Sequence, residues 1–261
     1  MDLQLTGKVA VVTGASKGIG LAITRALVAE GVSVVAGARG GSPELTELAA
    51  TADVHPVLID LTGADGPAQL IAEAVATYGG LDILVNNVGA LKPRLDGFLA
   101  ITDDDWNWTL NINFLAAVRT TRAALPHLLE RTPSTIVTVS SVNAVLPDPG
   151  VLDYSAAKGA LANLSKSLSK EFGPRGVRIN TVSPGPVETS LWLGEHGVAA
   201  TVAGAGGDAG AVAKAAAGQS VTGRFTRPDE VADLVVLLAS SRAGNVTGTD
   251  VVIDGGLITT L

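Results

Sequence analysis

The chain has 261 residues, of which 47% are hydrophobic and 16% are charged, and its formal net charge is −7. These values exclude an intrinsically disordered chain, and the acidic balance disfavours nucleic-acid binding, which usually requires a basic face. The lack of cysteine excludes disulfides, thiolate zinc sites and a cysteine nucleophile. With no recognisable secretory leader and no apolar run long enough to span a membrane, we expect a cytoplasmic protein without membrane or nucleic-acid partners.

Short apolar segments alternate with longer amphipathic segments along the whole chain. Near-continuous Val and Ile segments are typical of strands buried on both faces, and their alternation with helices favours right-handed parallel crossovers. The sequence therefore predicts an α/β fold with a doubly wound parallel sheet, a Rossmann-type single domain of three α/β/α layers over residues 1–261. In chain order the predicted elements are a strand at 8–12, a helix at 18–29, a strand at 32–36, a helix at 43–50, a strand at 57–59, a helix at 66–78, a strand at 82–85, a helix at 105–130, a strand at 135–139, a helix at 154–172 and a strand at 177–182.

Two features of the later chain refine this outline. Thr102, before three aspartates, and Thr226, before Pro228, are expected to cap the helices that follow them. The stretch at about 190–223 is dense in Gly and Ala and predicts a lid-like insertion in the substrate loop, either a mobile flap or a weakly specified helical segment. No break in composition indicates a second domain.

A glycine-rich turn, TGASKGIG at residues 13–20, joins the first predicted strand to the first predicted helix. A helix N-terminus presents unpaired backbone N–H groups and a positive dipole end to a pyrophosphate, and glycine lets the ligand approach the backbone. We therefore predict a dinucleotide site at this turn. The cofactor contacts predicted here are Gly14, Ser16, Lys17, Gly18, Ile19 and Gly20.

The end of the second predicted strand indicates which dinucleotide is bound. A carboxylate at this place would hydrogen-bond the ribose of NAD and repel an added 2′-phosphate. The chain has Arg39 there instead, and Lys17 lies in the glycine turn nearby. Because two cations favour the extra phosphate through charge-assisted hydrogen bonds, we predict NADP(H), with NAD(H) as the second choice.

Tyr154 and Lys158 are four residues apart, a spacing that puts both side chains on one face of a helix. A free phenol has a pKa near ~10, and a neighbouring cation favours the phenolate and lowers that pKa. Such a phenol is suited to protonate a carbonyl oxygen as hydride arrives, or to accept the proton of an alcohol in reverse. Ser140 and Ser141 end a predicted strand upstream, where either hydroxyl would reach the same substrate oxygen or merely end the strand.

In these motifs and in their order, nearly the whole chain resembles the short-chain dehydrogenase/reductase family. The glycine turn at 13–20 is similar to the family's Thr-Gly-x-x-x-Gly-x-Gly, and residues 86–89 are similar to its Asn-Asn-Ala-Gly, with Val88 in place of Ala. Residues 180–189 resemble its Asn-x-x-x-Pro-Gly-x-x-x-Thr segment, and the Tyr-x-x-x-Lys pair completes the set.

The resemblance implies roles for individual residues. It selects Ser141 over Ser140 as the catalytic serine, because the family's serine lies thirteen residues before the tyrosine. It implies that Tyr154 is the general acid–base, that Lys158 lowers the phenol pKa and holds the nicotinamide ribose, and that Asn113 holds a water in the proton relay. The further cofactor contacts implied or predicted are Arg39, Asp60 at the adenine, Leu61, Asn87, Gly89, Tyr154, Lys158, and Val187 and Thr189 at the carboxamide.

The implied reaction is hydride transfer between NADP(H) and a carbonyl or alcohol substrate. Because cellular NADPH favours reduction, and because the expected pocket wall is mostly apolar without an Arg or Lys clamp, we expect a neutral or hydrophobic ketone or aldehyde. The alternatives are an NAD-dependent alcohol dehydrogenase of the same family and a non-catalytic NADPH-binding sensor. The wall residues are Val142, Asn143, Leu146, Val151, Leu152, Leu191, Trp192 and Leu193.

The histidines and the expected assembly complete the sequence-based outline. His55 and His127 have no acidic or histidine neighbours at metal-ligand spacing, so we predict no metal site. The resemblance also implies a homotetramer that pairs the helices at 105–130 and 154–172 and the segment at 247–258.

Overall fold

One parallel sheet organises the computed structural model, which describes residues 2–260. The strands are β1 (Val9–Thr13), β2 (Ser33–Ala38), β3 (Val54–Leu58), β4 (Ile83–Asn86), β5 (Ser134–Val139), β6 (Val177–Pro184) and β7 (Asp250–Ile253). Their order across the sheet is β3-β2-β1-β4-β5-β6-β7, and every neighbouring pair is parallel. The predicted doubly wound, Rossmann-type single domain is confirmed.

Helices cover both faces of the sheet, as a sheet of near-continuous Val and Ile requires. Within residues 2–260 they are α1 (Gly18–Ala29), α2 (Pro43–Thr51), α3 (Gly66–Tyr78), α4 (Asp103–Leu110), α5 (Ala116–Glu130), α6 (Leu152–Phe172), α7 (Ser190–Leu193), α8 (Val198–Ala203), α9 (Ala209–Ala217) and α10 (Pro228–Ala239). One core lies between the sheet and α1 and α10, around Leu27 and Val235. The other lies between the sheet and α3 and α5, around Leu70 and Leu128.

The first and third helices begin and end at the predicted residues, most other predicted bounds shift by one or two residues, and two elements differ more. The helix expected over 105–130 is divided into α4 and α5 by a π-helical turn at Asn111–Leu115. The strand expected at 57–59 is instead β3 at Val54–Leu58, and it contains Pro56. Proline is tolerated there because β3 is an edge strand, paired only with β2.

Of the two expected helix caps, one is confirmed and one is wrong. The Thr102 hydroxyl accepts the Asp105 N–H at 3.2 Å and forms a capping box at the start of α4. At α10 the N-cap is Arg227 rather than Thr226, and the Glu230 carboxylate accepts the Arg227 N–H at 2.8 Å. Thr226 is one residue too early because its backbone pairs with Val187 in an isolated bridge.

The strand order reverses between β1 and β4, since the chain moves outward from β1 to β3 and then returns to the other side of β1. In an open α/β sheet, the crossovers on either side of such a reversal lie on opposite faces and leave a crevice outside the carboxyl ends of the strands. The topology therefore predicts a ligand site among the residues that follow β1 and β4.

Candidate active site

A cavity of about 1040 Å³ opens at the carboxyl ends of the strands, at the reversal between β1 and β4. It brings together residues from turns that are far apart in sequence. The predicted residues that line it are Gly14, Ser16, Lys17, Gly18, Ile19, Gly20, Arg39, Asp60, Leu61, Asn87, Gly89, Ser141, Tyr154, Lys158, Val187 and Thr189. Asn113, the remaining predicted site residue, is fully buried outside this lining.

The glycine turn is shaped by contacts that exclude side chains. Gly14 and Gly18 have φ values of +67° and +54°, in the left-handed region that glycine adopts without strain. At Gly20 an added Cβ would lie 2.2 Å from the Gly14 carbonyl oxygen, so only glycine lets α1 approach the turn. Lys17, the N-cap of α1, makes no side-chain capping bond, and the helix N-terminus faces the cavity without a capping side chain.

Asn87 fixes the glycine turn to the end of β4. Its Nδ2 donates to the Thr13 carbonyl at 2.9 Å and to the Gly14 carbonyl at 3.3 Å. The Thr13 hydroxyl in turn accepts the backbone N–H groups of Asn87 and Val88. The asparagine therefore holds the two turns beside the strand reversal together, in addition to lining the cavity.

The ends of β2 and β3 present charged side chains to the same end of the cavity. Arg39 and Lys17 are both exposed, as a site for a solvated phosphate requires. Asp60 accepts hydrogen bonds from the backbone N–H and hydroxyl of Thr62, at 2.9 and 2.8 Å. These bonds lower the pKa of Asp60, with a smaller contribution from the nearby Arg39 charge.

Tyr154, Lys158 and Ser141 meet at the other end, where the first turns of α6 face the end of β5. All three are buried. Burial raises the pKa of Tyr154 to about 12, although a hydrogen bond with Ser141 acts to lower it. The Lys158 Nζ donates to the Val139 carbonyl oxygen at 3.0 Å, and burial lowers the pKa of Lys158 to about 8.

The lysine Nζ lies 5.6 Å from the centroid of the Tyr154 ring, and removal of the phenol from water is the largest effect on the phenol pKa. The phenol therefore holds its proton at neutral pH. The expectation that Lys158 lowers this pKa stays a prediction.

Of the two adjacent serines, the structure brings Ser141 to the phenol. Ser141 also accepts the Asn143 N–H at 3.2 Å and donates to the Asn143 Oδ1 at 3.1 Å, so its hydroxyl has a defined direction. The Ser140 hydroxyl is buried and has no hydrogen-bond partner among the described residues. The choice of Ser141 as the catalytic serine, which the resemblance implied, stays a prediction.

Comparisons with known proteins identify the family. A family model described as enoyl-(acyl carrier protein) reductase matches residues 14–258. The 3-oxoacyl-[acyl-carrier-protein] reductase FabG of Thermotoga maritima is 32% identical over 263 residues, which cover 98% of this chain and 100% of that protein. Dehydrogenase/reductase SDR family member 4 of Homo sapiens is 33% identical over 266 residues, which cover 97% of this chain and 88% of that one. The chain belongs to the short-chain dehydrogenase/reductase family.

A solved structure extends this similarity to the fold of the dehydrogenase/reductase. L-sorbose reductase from Gluconobacter frateurii, complexed with NADPH and L-sorbose, superimposes with a TM-score of 0.92. It is 32% identical in sequence, and the alignment covers 100% of both chains.

Asn113 lies in the π-helical turn of this dehydrogenase/reductase, near Gly89 and Lys158. Its Nδ2 donates to the carbonyl oxygens of Ala90 and Thr109, and its Oδ1 accepts the Ala90 N–H at 3.0 Å. A Cβ on Gly89 would lie 3.0 Å from the Asn113 Oδ1 and 3.6 Å from the Lys158 Nζ, so the asparagine and the lysine approach each other across Gly89. Single-turn π-helices often occur at functional sites.

The lid-like region supplies the outer wall. Residues 190–223 contain α7, α8 and α9, and the side chains of Trp192, Glu195, His196 and Gln219 line the cavity. Trp192 packs edge-on against Phe225, with 5.3 Å between ring centroids. Of the wall residues expected from sequence, Val142, Asn143, Leu146, Val151, Leu191 and Trp192 line the cavity, whereas Leu152 and Leu193 do not.

Sequence reasoning missed a buried ion pair beside the catalytic helix. Arg94, in the loop after β4, contacts Asp153, the residue before Tyr154, with Nη2 and Oδ2 2.5 Å apart. The two residues are 59 positions apart, and no local motif marks either of them.

Within residues 2–260, no group of three or more His, Asp or Glu side chains is placed to hold a metal ion. In the same residues, no helix combines the length and the apolar character that a membrane crossing requires.

Proposed function

We propose that this family member is an NADP(H)-dependent carbonyl reductase that reduces a neutral ketone or aldehyde to an alcohol. The observation that carries the proposal is that the buried Tyr154 and Ser141 line one cavity together with Lys158, which lies one helical turn from Tyr154. A sensor that only binds the cofactor has no need of a proton donor directed at its ligand.

The residues divide the work of a reduction. The bound nicotinamide supplies the hydride, and the chain supplies the proton and the orientation. Tyr154 donates its proton to the carbonyl oxygen, and its raised pKa keeps it in the protonated form that reduction requires. Ser141 hydrogen-bonds the same oxygen. Lys158 is placed to hold the nicotinamide ribose and, with Asn113, to return a proton to the phenol.

The cofactor end supports NADP(H) over NAD(H). Lys17 and Arg39 offer two exposed cations where a carboxylate would select NAD, and a phosphate monoester matches them in charge. The similar L-sorbose reductase was solved with NADPH, which gives the same preference independent support. We propose that the other predicted cofactor contacts, which also line the cavity, complete the binding site. They are Gly14, Ser16, Gly18, Ile19, Gly20, Asp60, Leu61, Asn87, Gly89, Tyr154, Lys158, Val187 and Thr189.

The substrate end supports a neutral compound. Its charged lining includes Asp148 and Glu195, and the one Lys or Arg that lines this side among the described residues is Lys158, whose Nζ already donates to the Val139 carbonyl oxygen. An anionic substrate would face two carboxylates without a cationic partner. The apolar side chains of Leu146, Leu191 and others favour an uncharged carbonyl compound with some apolar surface.

A second candidate is reduction of a 3-oxoacyl thioester, favoured by the 32% identity to the Thermotoga maritima 3-oxoacyl-[acyl-carrier-protein] reductase. Enoyl reduction, which the description of the family model suggests, is less favoured, because enoyl reductases of this family usually space the tyrosine and lysine more widely than four residues. An NAD-dependent alcohol dehydrogenase remains the alternative in which the cofactor and direction differ.

The test is a turnover assay at 340 nm with NADPH and NADH in parallel. One substrate panel holds neutral ketoses, diketones and aldehydes, and the other holds acetoacetyl thioesters. We expect turnover with NADPH on the neutral panel, reduced about 10²–10⁴-fold in Tyr154→Phe. Turnover of the thioesters alone would instead support the second candidate, reduction of a 3-oxoacyl thioester. NADPH binding without turnover on either panel would favour the sensor.

The assembly and the lid are proposed on the same basis. We propose a cytoplasmic homotetramer that pairs α5 and α6 of adjacent copies and their β7 segments, to be tested by sedimentation at micromolar concentration, where a stable monomer would refute it. We also propose that residues 190–223 act as a lid over the substrate, because nine of these residues line the cavity.

A further inference from the structure

Arg94 and Asp153 form a buried, hydrogen-bonded ion pair next to the residue that carries the proposed proton donor. The Arg94 Nε and Nη2 both donate to Asp153 Oδ2, at 3.1 and 2.5 Å. The side chains are 10% and 2% exposed. Neither residue lines the cavity, so we expect the pair to act on the site only through its neighbours.

The same carboxylate connects two elements that meet at the site. Its Oδ2 also accepts the Thr109 hydroxyl of α4 at 2.7 Å, and its Oδ1 accepts the Tyr154 N–H at 3.0 Å in the first turn of α6. Thr109 in turn offers its carbonyl oxygen to the Asn113 Nδ2 at 3.0 Å. Asp153 is therefore bonded directly to Tyr154 and through one residue to Asn113.

Arg94 connects the third element. Its backbone N–H donates to the Gly150 carbonyl at 2.7 Å, just before α6, and its Nη1 donates to Asp105 at 2.9 Å, in the first turn of α4. The loop that follows β4, the start of α4 and the start of α6 are thereby held at one guanidinium group. Its planar fork matches both carboxylates at once, which a lysine ammonium would not reproduce.

A buried ion pair is a poor source of net stability, because desolvation of the two charges offsets their attraction. Apolar side chains of similar volume often stabilise the fold equally well in its place. An ion pair at this position is better suited to fix the orientation of the helices that it joins. Charge-assisted hydrogen bonds are short and require a defined geometry.

We propose that Arg94 and Asp153 are positioning residues that hold the start of α6, and with it the Tyr154 phenol, in register with Ser141 and Asn113. The inference rests on the proposed function of the site. It predicts a loss in the rate of the chemical step, with cofactor binding and substrate KM retained.

The chain provides a matched control at the opposite end of the sheet. Asp82, before β4, is also a buried carboxylate, with a side chain 7% exposed. It pairs with Lys8 at 2.9 Å and Arg131 at 3.4 Å, and it accepts the Val9 N–H at 3.0 Å. Asp82→Asn therefore breaks a similar network far from the carboxyl ends of the strands.

The experiment measures Tm, kcat, KM and the NADPH Kd for Asp153→Asn, Asp82→Asn, Arg94→Lys and the double variant Arg94→Met/Asp153→Asn. We expect both single Asp→Asn changes to lower Tm, by about 5–10 °C. Only Asp153→Asn should lower kcat, at least about tenfold, with KM and Kd within about twofold. The double variant, free of an unpaired buried charge, should regain Tm but not kcat.

Parent kcat in the double variant or in Asp153→Asn would show a structural role only and overturn the inference. If neither variant folds, Arg94→Lys is the deciding variant, because lysine keeps the positive charge but lacks the planar guanidinium group. A kcat at least about threefold below the parent at equal Tm supports the inference, and an unchanged kcat refutes it. If the parent protein itself shows no turnover, the proposed function fails and this inference fails with it. Turnover that is lost in Tyr154→Phe but kept in Asp153→Asn removes this inference alone.

Discussion

Replacement of Arg39 by glutamine tests the proposed cofactor preference at one side chain. Two unit charges 4 Å apart attract by about 1 kcal/mol in water, and a phosphate monoester carries about −1.5 to −2 charges at neutral pH. Because Arg39 is exposed, the dielectric constant of water is the appropriate choice. The attraction then corresponds to about 10–30-fold in NADPH affinity, whereas NADH, which lacks the phosphate, loses nothing by this route.

The assay compares kcat/KM for NADPH and NADH in the parent, in Arg39→Gln and in Arg25→Gln, an exposed arginine of α1 outside the cavity. We expect Arg39→Gln to lower the NADPH value about 10–30-fold and to leave NADH and the control unchanged. The difference should shrink in 1 M salt, where the Debye length is about 3 Å. An equal loss with both cofactors, or less than about threefold with NADPH, would refute the assignment of Arg39 to the phosphate.

Three further outcomes follow from the geometry. Tyr154→Phe should lower kcat about 10²–10⁴-fold and change the NADPH Kd, measured by fluorescence quenching, far less than kcat; retained turnover would exclude the phenol as proton donor. Gly20→Ala should weaken NADPH binding and lower Tm, because its Cβ would meet the Gly14 carbonyl oxygen at 2.2 Å, whereas Gly173→Ala, with open space around its Cβ, should change neither. Burial acts to raise the pKa of Asp153, but bonds from Arg94 and Thr109 hold it below its ordinary value of 3.8. Its contribution to stability is therefore complete above about pH 4 and is lost as the pH falls further, so Tm should fall less steeply below about pH 4 in Asp153→Asn than in the parent.

The sequence predicts the fold well where a local pattern decides the structure. The helices at 18–29 and 66–78 end within two residues of a glycine, at Gly31 and Gly79, and the sequence marks both ends. The parallel sheet follows from strands of continuous Val and Ile. The strand β3 begins three residues earlier than predicted. Its buried and exposed side chains alternate, and Pro56 weakens the sequence signal for a strand, since proline is acceptable there only because β3 lies at the sheet edge. The π-helical turn at Asn111–Leu115 leaves no sign in the apolar periodicity, since one extra residue shifts the helix face only locally.

For the site, the motifs place the residues and the structure supplies their environment. Ser141, Tyr154 and Lys158 lie together as their spacing indicates, but the pKa of the phenol depends on burial, which the spacing does not contain. The Arg94–Asp153 pair depends on a tertiary contact between a loop and a helix, for which neither segment has a local signature.

The strand reversal between β1 and β4 also divides the residues that line the cavity between two parts of the chain. Lys17, Arg39 and Asp60, which follow β1, β2 and β3, come from residues before 63, whereas Ser141, Tyr154 and Lys158 come from residues after 86. A crossover within α3, between these segments, would join the cofactor preference of one parent to the substrate range of another. Chimeras with that junction offer a direct way to exchange coenzymes.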